Sequence, residues 1–591
     1  MKQFLKTVLA SMIGVFLSSI LLFFFVILLI IGIASTVDSP KSGSTEKGTI
    51  LHLNLTEEIS ERASDNPFAN LNPMSLQVGK GLGLDRILEC LEKASKDPNI
   101  SGIYLEVPSV NGGMASMEEI RNALKAFKKS GKFVYAYADV YSQGGYYLAS
   151  TADQVWMNPE GMLDMRGMSA SIPFFKGALE KLEVRPEIIR HGKFKSAVEP
   201  FILDKMSDEN RAQTAEYVDD LWSHYLSKVG ESRKIQMDSL KSYAANFTVR
   251  TAADAVKMGL VDTLAYMDVF LKKLCDKTGK TDEDDLELVG LSKYYDFADP
   301  SPEKEPTRDK IAVIYAVGDI VSGEGDESEI GSESLSKTIR EVRTDDKVKA
   351  VVLRVNSPGG DALASDIIWR EMELCRKAKP VIVSMGDVAA SGGYYISCNA
   401  DSIFAQPNTI TGSIGVFGLM FNIQDMLKNK LGVTYDSYNT GSYADLGSMT
   451  RPMTESERAI MQCFVEQTYA TFTGRVSDGR SMSVAQVDSI GQGRVWSGVD
   501  AQRLGLVDAL GGINEAIAAA AKKAGLKNYR IADYPKQKDP IKALLDDFSG
   551  ESAVKAFEKR FEVGSQYLKT IERVKKMKGI QARFIYDRIS Y

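Results

Sequence analysis

The chain has 591 residues, 44% hydrophobic and 25% charged, a globular make-up that is too long for one ordinary core. A net charge of −6 is small for that length, and no run interleaves basic with aromatic residues, which argues against a nucleic-acid partner. The five cysteines (Cys90, Cys275, Cys375, Cys398, Cys463) are scattered and lack a C-x-x-C pair, so neither a zinc site nor a disulfide framework is indicated and no metal or cofactor is expected.

Residues 1–38 read as a transmembrane anchor. The chain carries no charge from Thr7 to Val37, a run longer than the roughly 20 apolar residues that span a bilayer and longer than the core of a cleavable signal peptide. Lys2 and Lys6 before it and Asp38 and Glu46 after it orient the N-terminus to the cytoplasm, leaving the bulk of a single-pass chain on the far, periplasmic side of the inner (plasma) membrane.

The body of the chain is duplicated. DVYSQGGYYLASTADQVWMNP from Asp139 matches DVAASGGYYISCNADSIFAQP from Asp387, with a spacing of 248 that also separates Pro159 from Pro407. Gly112-Gly113 corresponds to Gly359-Gly360, and the GLVD at Gly259 to the GLVD at Gly505. Within each half, β-branched runs such as KAVVLRV and PVIVSM alternate with helical patterns, predicting α/β units with parallel strands and right-handed crossovers. The expected organisation is a front repeat over 47–290, a polar linker over 291–308, a rear repeat over 309–535, and a charged tail over 536–591 whose periodicity predicts an ordinary packing helix.

Ser391 follows a predicted strand and opens a predicted helix, where free N–H groups and the positive helix end suit an incipient oxyanion. NSPGG, from Asn356 to Gly360, also follows a strand and exposes backbone N–H groups at the end of a parallel sheet. Either motif alone is commonly a turn. The comparison of halves gives them weight. Ser391 aligns with Gln143, which is no nucleophile, whereas Lys195 in RHGKFKSAVEP aligns with Ala444. Each half has lost what the other keeps, as expected if one site draws on both.

The three histidines, His52, His191 and His224, all lie in the front half, so a serine in the rear half has no local imidazole. A lysine serves as base only when burial lowers its pKa from about 10.4. Lys193 shares a side with Lys195 if the segment is extended, and His191 is a lesser rival because no orienting carboxylate adjoins it in sequence.

GKFKSAVEPF together with GDVAASGGYYIS and TGSIGVFG resembles the signal peptide peptidase A (protease IV) family in its long, duplicated form, over nearly the whole chain. The resemblance implies two tandem ClpP/crotonase-like domains, Ser391 as nucleophile, Lys195 as general base, Ser413 orienting the lysine amine, and oxyanion contacts from Gly359 and Gly392. It further implies a homotetramer that degrades remnant signal peptides at the membrane. Two readings compete with this one: a crotonase-like enzyme of acyl thioesters, and a non-catalytic membrane scaffold.

Overall fold

The computed structural model describes residues 44–64, 82–297, 307–326, 328–537, 579–584 and 589–590, with residues 6, 11–12 and 14–21 near the start. Strands rich in Val, Ile, Leu and Tyr are buried on both faces, as parallel sheets covered by helices require. The front sheet runs, from edge to edge, Thr263–Leu264, Gln154–Leu163, Phe133–Tyr141, Ile100–Glu106, Thr49–Asn54 and Leu288–Gly290, all parallel. Helix Leu84–Lys96 buries Leu84, Ile87, Leu88 and Leu91, one stripe at helical spacing.

The rear half repeats this plan. Val381–Ala390, Val348–Ser357, Lys310–Val317 and Arg530–Tyr534 stand in parallel where the front half has Phe133–Tyr141, Ile100–Glu106, Thr49–Asn54 and Leu288–Gly290. Two tandem α/β units follow from the sequence repeat, and both are present.

A second rear sheet is of mixed origin. Its order is Glu329–Gly331, Asp319–Val321, Gly359–Asp361, Gly579–Arg583, Val416–Asn422 and Arg185–His191. Arg185–His191 comes from the front half and pairs antiparallel with Val416–Asn422. Gly579–Arg583 comes from the tail and is a strand where periodicity predicted helix, because it is paired on both sides.

The halves are joined by more than a linker. Ile311, Val313, Val352, Ile382 and Ile513 of the rear half belong to the same apolar cluster as the front core. Buried Arg354 pairs with Glu61 and Glu119 of the front half, each at 2.7 Å. Asp387 accepts from the amides of Ala115 (2.8 Å) and Ser116 (3.0 Å), closing the N-terminus of helix Met114–Lys128. The front core also runs past residue 290: Leu291–Tyr295, read as linker, is a short helix with Tyr294 fully buried.

Among the described residues no helix is long and apolar enough to cross a membrane. The predicted anchor lies largely outside the described residues, as does the tail between 538 and 578.

Candidate active site

The buried strand Val381–Ala390 delivers Ser391 to its end, where the four-residue helix Gly392–Tyr395 begins. Ser391 has φ of +55°, a region that non-glycine residues rarely adopt. Its amide donates to the Gly412 carbonyl and its carbonyl accepts from the Tyr395 amide, both at 2.8 Å, so the surroundings hold the strained conformation.

Lys195 reaches the same place from the other half. Strand Arg185–His191 carries the chain across the rear sheet, with His191 opposite Val416. Gly192 then turns it at φ of +95°, against backbone that leaves no room for a side chain: a methyl group on Gly192 would stand 2.4 Å from the Gln492 carbonyl oxygen. The Phe194 amide donates to that carbonyl at 3.0 Å. Gln213, on helix Asp208–Arg233, clips the loop by donating to the Phe194 carbonyl (3.1 Å) and Ser196 Oγ (3.0 Å), while its Oε1 accepts from the Val495 amide at 3.3 Å.

The amine of Lys195, 1% exposed, lies 2.9 Å from Ser391 Oγ, 3.1 Å from Ser413 Oγ and 3.3 Å from the Ser413 carbonyl. Burial pushes its pKa well below the ordinary lysine value, with no carboxylate acting against that shift. A neutral amine has two N–H donors and one lone pair. Ser413 accepts the donors through its hydroxyl and carbonyl, which leaves the lone pair for the Ser391 hydroxyl proton.

Gly359, at φ of +96°, and Gly392 face each other beside Ser391: a methyl group on Gly359 would lie 2.5 Å from the Gly392 amide nitrogen. The Gly359 amide donates to Ser357 Oγ at 3.1 Å. The structure thus gathers Ser391, Lys195, Ser413, Gly359 and Gly392 at one point.

The rivals lie elsewhere. The turn at Gly192 breaks the extended run, so Lys193 is exposed, its amine over the Phe194 ring at 5.4 Å. His191 does have a carboxylate, Glu466 at 2.6 Å, but it comes from the rear half and holds the imidazole stacked on Tyr469. Ala444 sits on an exposed loop. Buried Gln143 closes the front-half counterpart of the site: its Oε1 accepts from the amides of Arg166 (2.6 Å) and Gly167 (2.8 Å), and its Nε2 donates to the Gly167 carbonyl (2.9 Å). Sequence reasoning missed Gln213, one glutamine on a polar helix, and it missed the tail strand, whose only signal was the alternation of Ala582 and Phe584 with Arg583.

Comparison with known proteins identifies the family. The model of peptidase family S49 matches residues 126–280 and 373–527, once in each half, and the Clp protease model matches residues 305–411. Protease 4 of Salmonella typhi is 37% identical over 90% of this chain and 87% of its own length. Protease 4 of Haemophilus influenzae is 38% identical over 83% of this chain and 82% of its own. The chloroplastic serine protease SPPA of Arabidopsis thaliana is 33% identical over 85% and 73%. The acyl-thioester and scaffold readings give way: the chain belongs to peptidase family S49, in its duplicated form, and is a serine-type protease.

Proposed function

We propose that this protein is a membrane-anchored endopeptidase that hydrolyses apolar, unfolded peptides, remnant signal peptides among them, with Ser391 as nucleophile and Lys195 as general base. The observation that carries the reading is the 2.9 Å contact between a strained serine and a buried amine that has no carboxylate partner. Neutral Lys195 takes the Ser391 proton as Oγ bonds to the scissile carbonyl carbon. The oxyanion forms beside the amides of Gly392 and Gly359. The lysine then returns its proton to the departing amine nitrogen, and water, deprotonated by the same lysine, releases the acyl group. Ser413 keeps the amine aimed through both steps.

The uncharged run from Thr7 to Val37 supports single-pass anchoring with the protease domain outside the cytoplasm, where released signal peptides lie in the bilayer. Assembly as a homotetramer belongs to the same proposal, and contact between copies has its own support. The pairing of Arg185–His191 with Val416–Asn422 has a counterpart, at the repeat spacing of 248, in segments 433–439 and 168–174. Segment 433–439 is exposed and outside any strand, with Tyr438 93% exposed. Pairing it with 168–174 of the next copy repeats the internal contact between copies.

The test is hydrolysis of an apolar signal-peptide sequence in detergent. Ser391→Ala and Lys195→Ala are each expected to abolish cleavage; a Lys195→Ala protein as active as the parent contradicts the proposal.

A further inference from the structure

Two 26-residue helices, one from each half, close on the loop that carries Lys195. Helix Asp208–Arg233 holds it from the front half through Gln213. Helix Glu455–Arg480 meets it from the rear half through Tyr469, which is 6% exposed. The Tyr469 ring stacks on the His191 imidazole, centroids 3.7 Å apart, at the residue just before the Gly192 turn. Its hydroxyl donates to Asp488 Oδ1 at 2.6 Å and accepts from the Gln492 amide at 3.2 Å. One side chain thus touches both the strand that enters the loop and the turn on which the loop lies.

That turn is the floor under the lysine. Gln492 has φ of +53° and Gly493 φ of +83°, a left-handed region that a glutamine keeps only when its surroundings hold it there. Gln492 is tied on both sides, to Tyr469 through its N–H and to the Phe194 amide through its carbonyl, at 3.0 Å. Gly493 lies flat against the lysine backbone: a methyl group there would stand 2.7 Å from Lys195 Cα. The Gly493 amide donates to the Ile414 carbonyl at 2.7 Å, and its carbonyl accepts from Ser413 Oγ at 3.3 Å. Ser413 Oγ in turn accepts from the Lys195 amine at 3.1 Å. The amine, the hydroxyl that aims it and the backbone beneath it all rest on one turn, whose first residue hangs on the Tyr469 hydroxyl.

We propose that Tyr469 is a positioning residue of the Ser391–Lys195 dyad, its hydroxyl fixing the turn that holds Lys195 against Ser391 and closed to water. The inference rests on the Ser391–Lys195 reading, and Tyr469 touches neither reacting atom. Without the hydroxyl the Gln492 N–H loses its acceptor, the left-handed residue relaxes and Gly493 lifts off the lysine. Two effects follow. The amine moves with its loop, and a displacement of about 1 Å can cost about 10²-fold in rate. Water also reaches the amine, and hydration returns its pKa toward the ordinary lysine value. Aligning the two long helices from their first residues puts Trp222 of the front half opposite Tyr469. Trp222 stacks on Tyr225 and has no hydroxyl, so the half without a nucleophile lacks this clamp as well.

The experiment follows peptide cleavage, and the pH dependence of Ser391 labelling by a fluorophosphonate, on the full chain in detergent. Tyr469→Phe keeps the ring on His191 and removes the hydroxyl. It is expected to lower kcat about 10-fold with KM unchanged, and to move the midpoint of the labelling profile to higher pH. Asp488→Ala, at a half-buried position, frees the hydroxyl and is expected to change both in the same direction, which gives the reading if Tyr469→Phe does not fold. Labelling that survives Lys195→Ala removes the dyad reading itself. Where labelling needs Lys195, a Tyr469→Phe protein with the parent's kcat and pH profile overturns the inference and leaves the dyad standing. A Tyr469→Phe protein that loses only thermal stability or peptide binding overturns it too, as does Asp488→Ala with the parent's profile.

Discussion

The Lys195 amine is pushed well below the ordinary lysine pKa because the protein takes it out of water without supplying an anion. In the unfolded chain its pKa is about 10.4; in the native protein burial holds it well below that. Between the two values the unfolded state binds a proton that the native state does not, so stability rises with pH across that window and the lysine costs stability at neutral pH. Lys195→Met keeps the apolar stem and removes the amine. It is expected to lower kcat/KM by about 10³-fold or more and to raise Tm by a few degrees, the equivalent of about 1–2 kcal/mol. Both hydroxyls keep an acceptor in that variant, since Ser413 Oγ also reaches the Gly493 carbonyl (3.3 Å) and Ser391 Oγ the Gly415 carbonyl (3.5 Å). Calorimetry with a peptide assay checks both; a variant that melts lower contradicts the desolvation account. Ser391 and Lys195 were legible in sequence because the two halves had lost complementary residues. The exposure of Lys193 was not, since it depends on the φ of +95° at Gly192.

At the scale of elements, the site depends on one strand that leaves its own half. Arg185–His191 joins the rear sheet, and Gln213 fixes the loop that follows it. Displacement of a reacting group by about 1 Å can cost about 10²-fold in rate. Gln213→Ala is therefore expected to lower kcat by about 10–100-fold, while peptide binding, measured by anisotropy in a Ser391→Ala background, stays the same. Equal losses in binding and kcat contradict a positioning role. The parallel strands and their helices were readable from β-branched runs and helical stripes. The mixed sheet was not: its partners lie far apart in the chain, and hydrophobic periodicity does not say which edge a strand will join. The tail was misread for the same reason, a short segment becoming a strand only through the two neighbours that flank it.

The whole molecule behaves as one body because its halves share a core and a buried charge cluster. Arg354 balances Glu61 and Glu119, and burial pushes the Glu119 carboxyl up while Arg354 pulls it down. Arg354→Met leaves two carboxylates without their cation and is expected to destabilise the protein by about 3–5 kcal/mol, read from denaturant midpoints. A variant as stable as the parent contradicts the pairing. Because one chain supplies both Lys195 and Ser391, mixing Ser391→Ala with Lys195→Ala protein is expected to restore no activity. Recovery on mixing points instead to a dyad shared between copies. The most direct measurement is the rate of Ser391 labelling by a fluorophosphonate as a function of pH. A proton acceptor with a depressed pKa predicts a rate that climbs with pH and levels off well below 10.4, and that collapses at every pH in Lys195→Ala. A rate still climbing at the ordinary lysine pKa, or one that survives loss of the amine, contradicts the account.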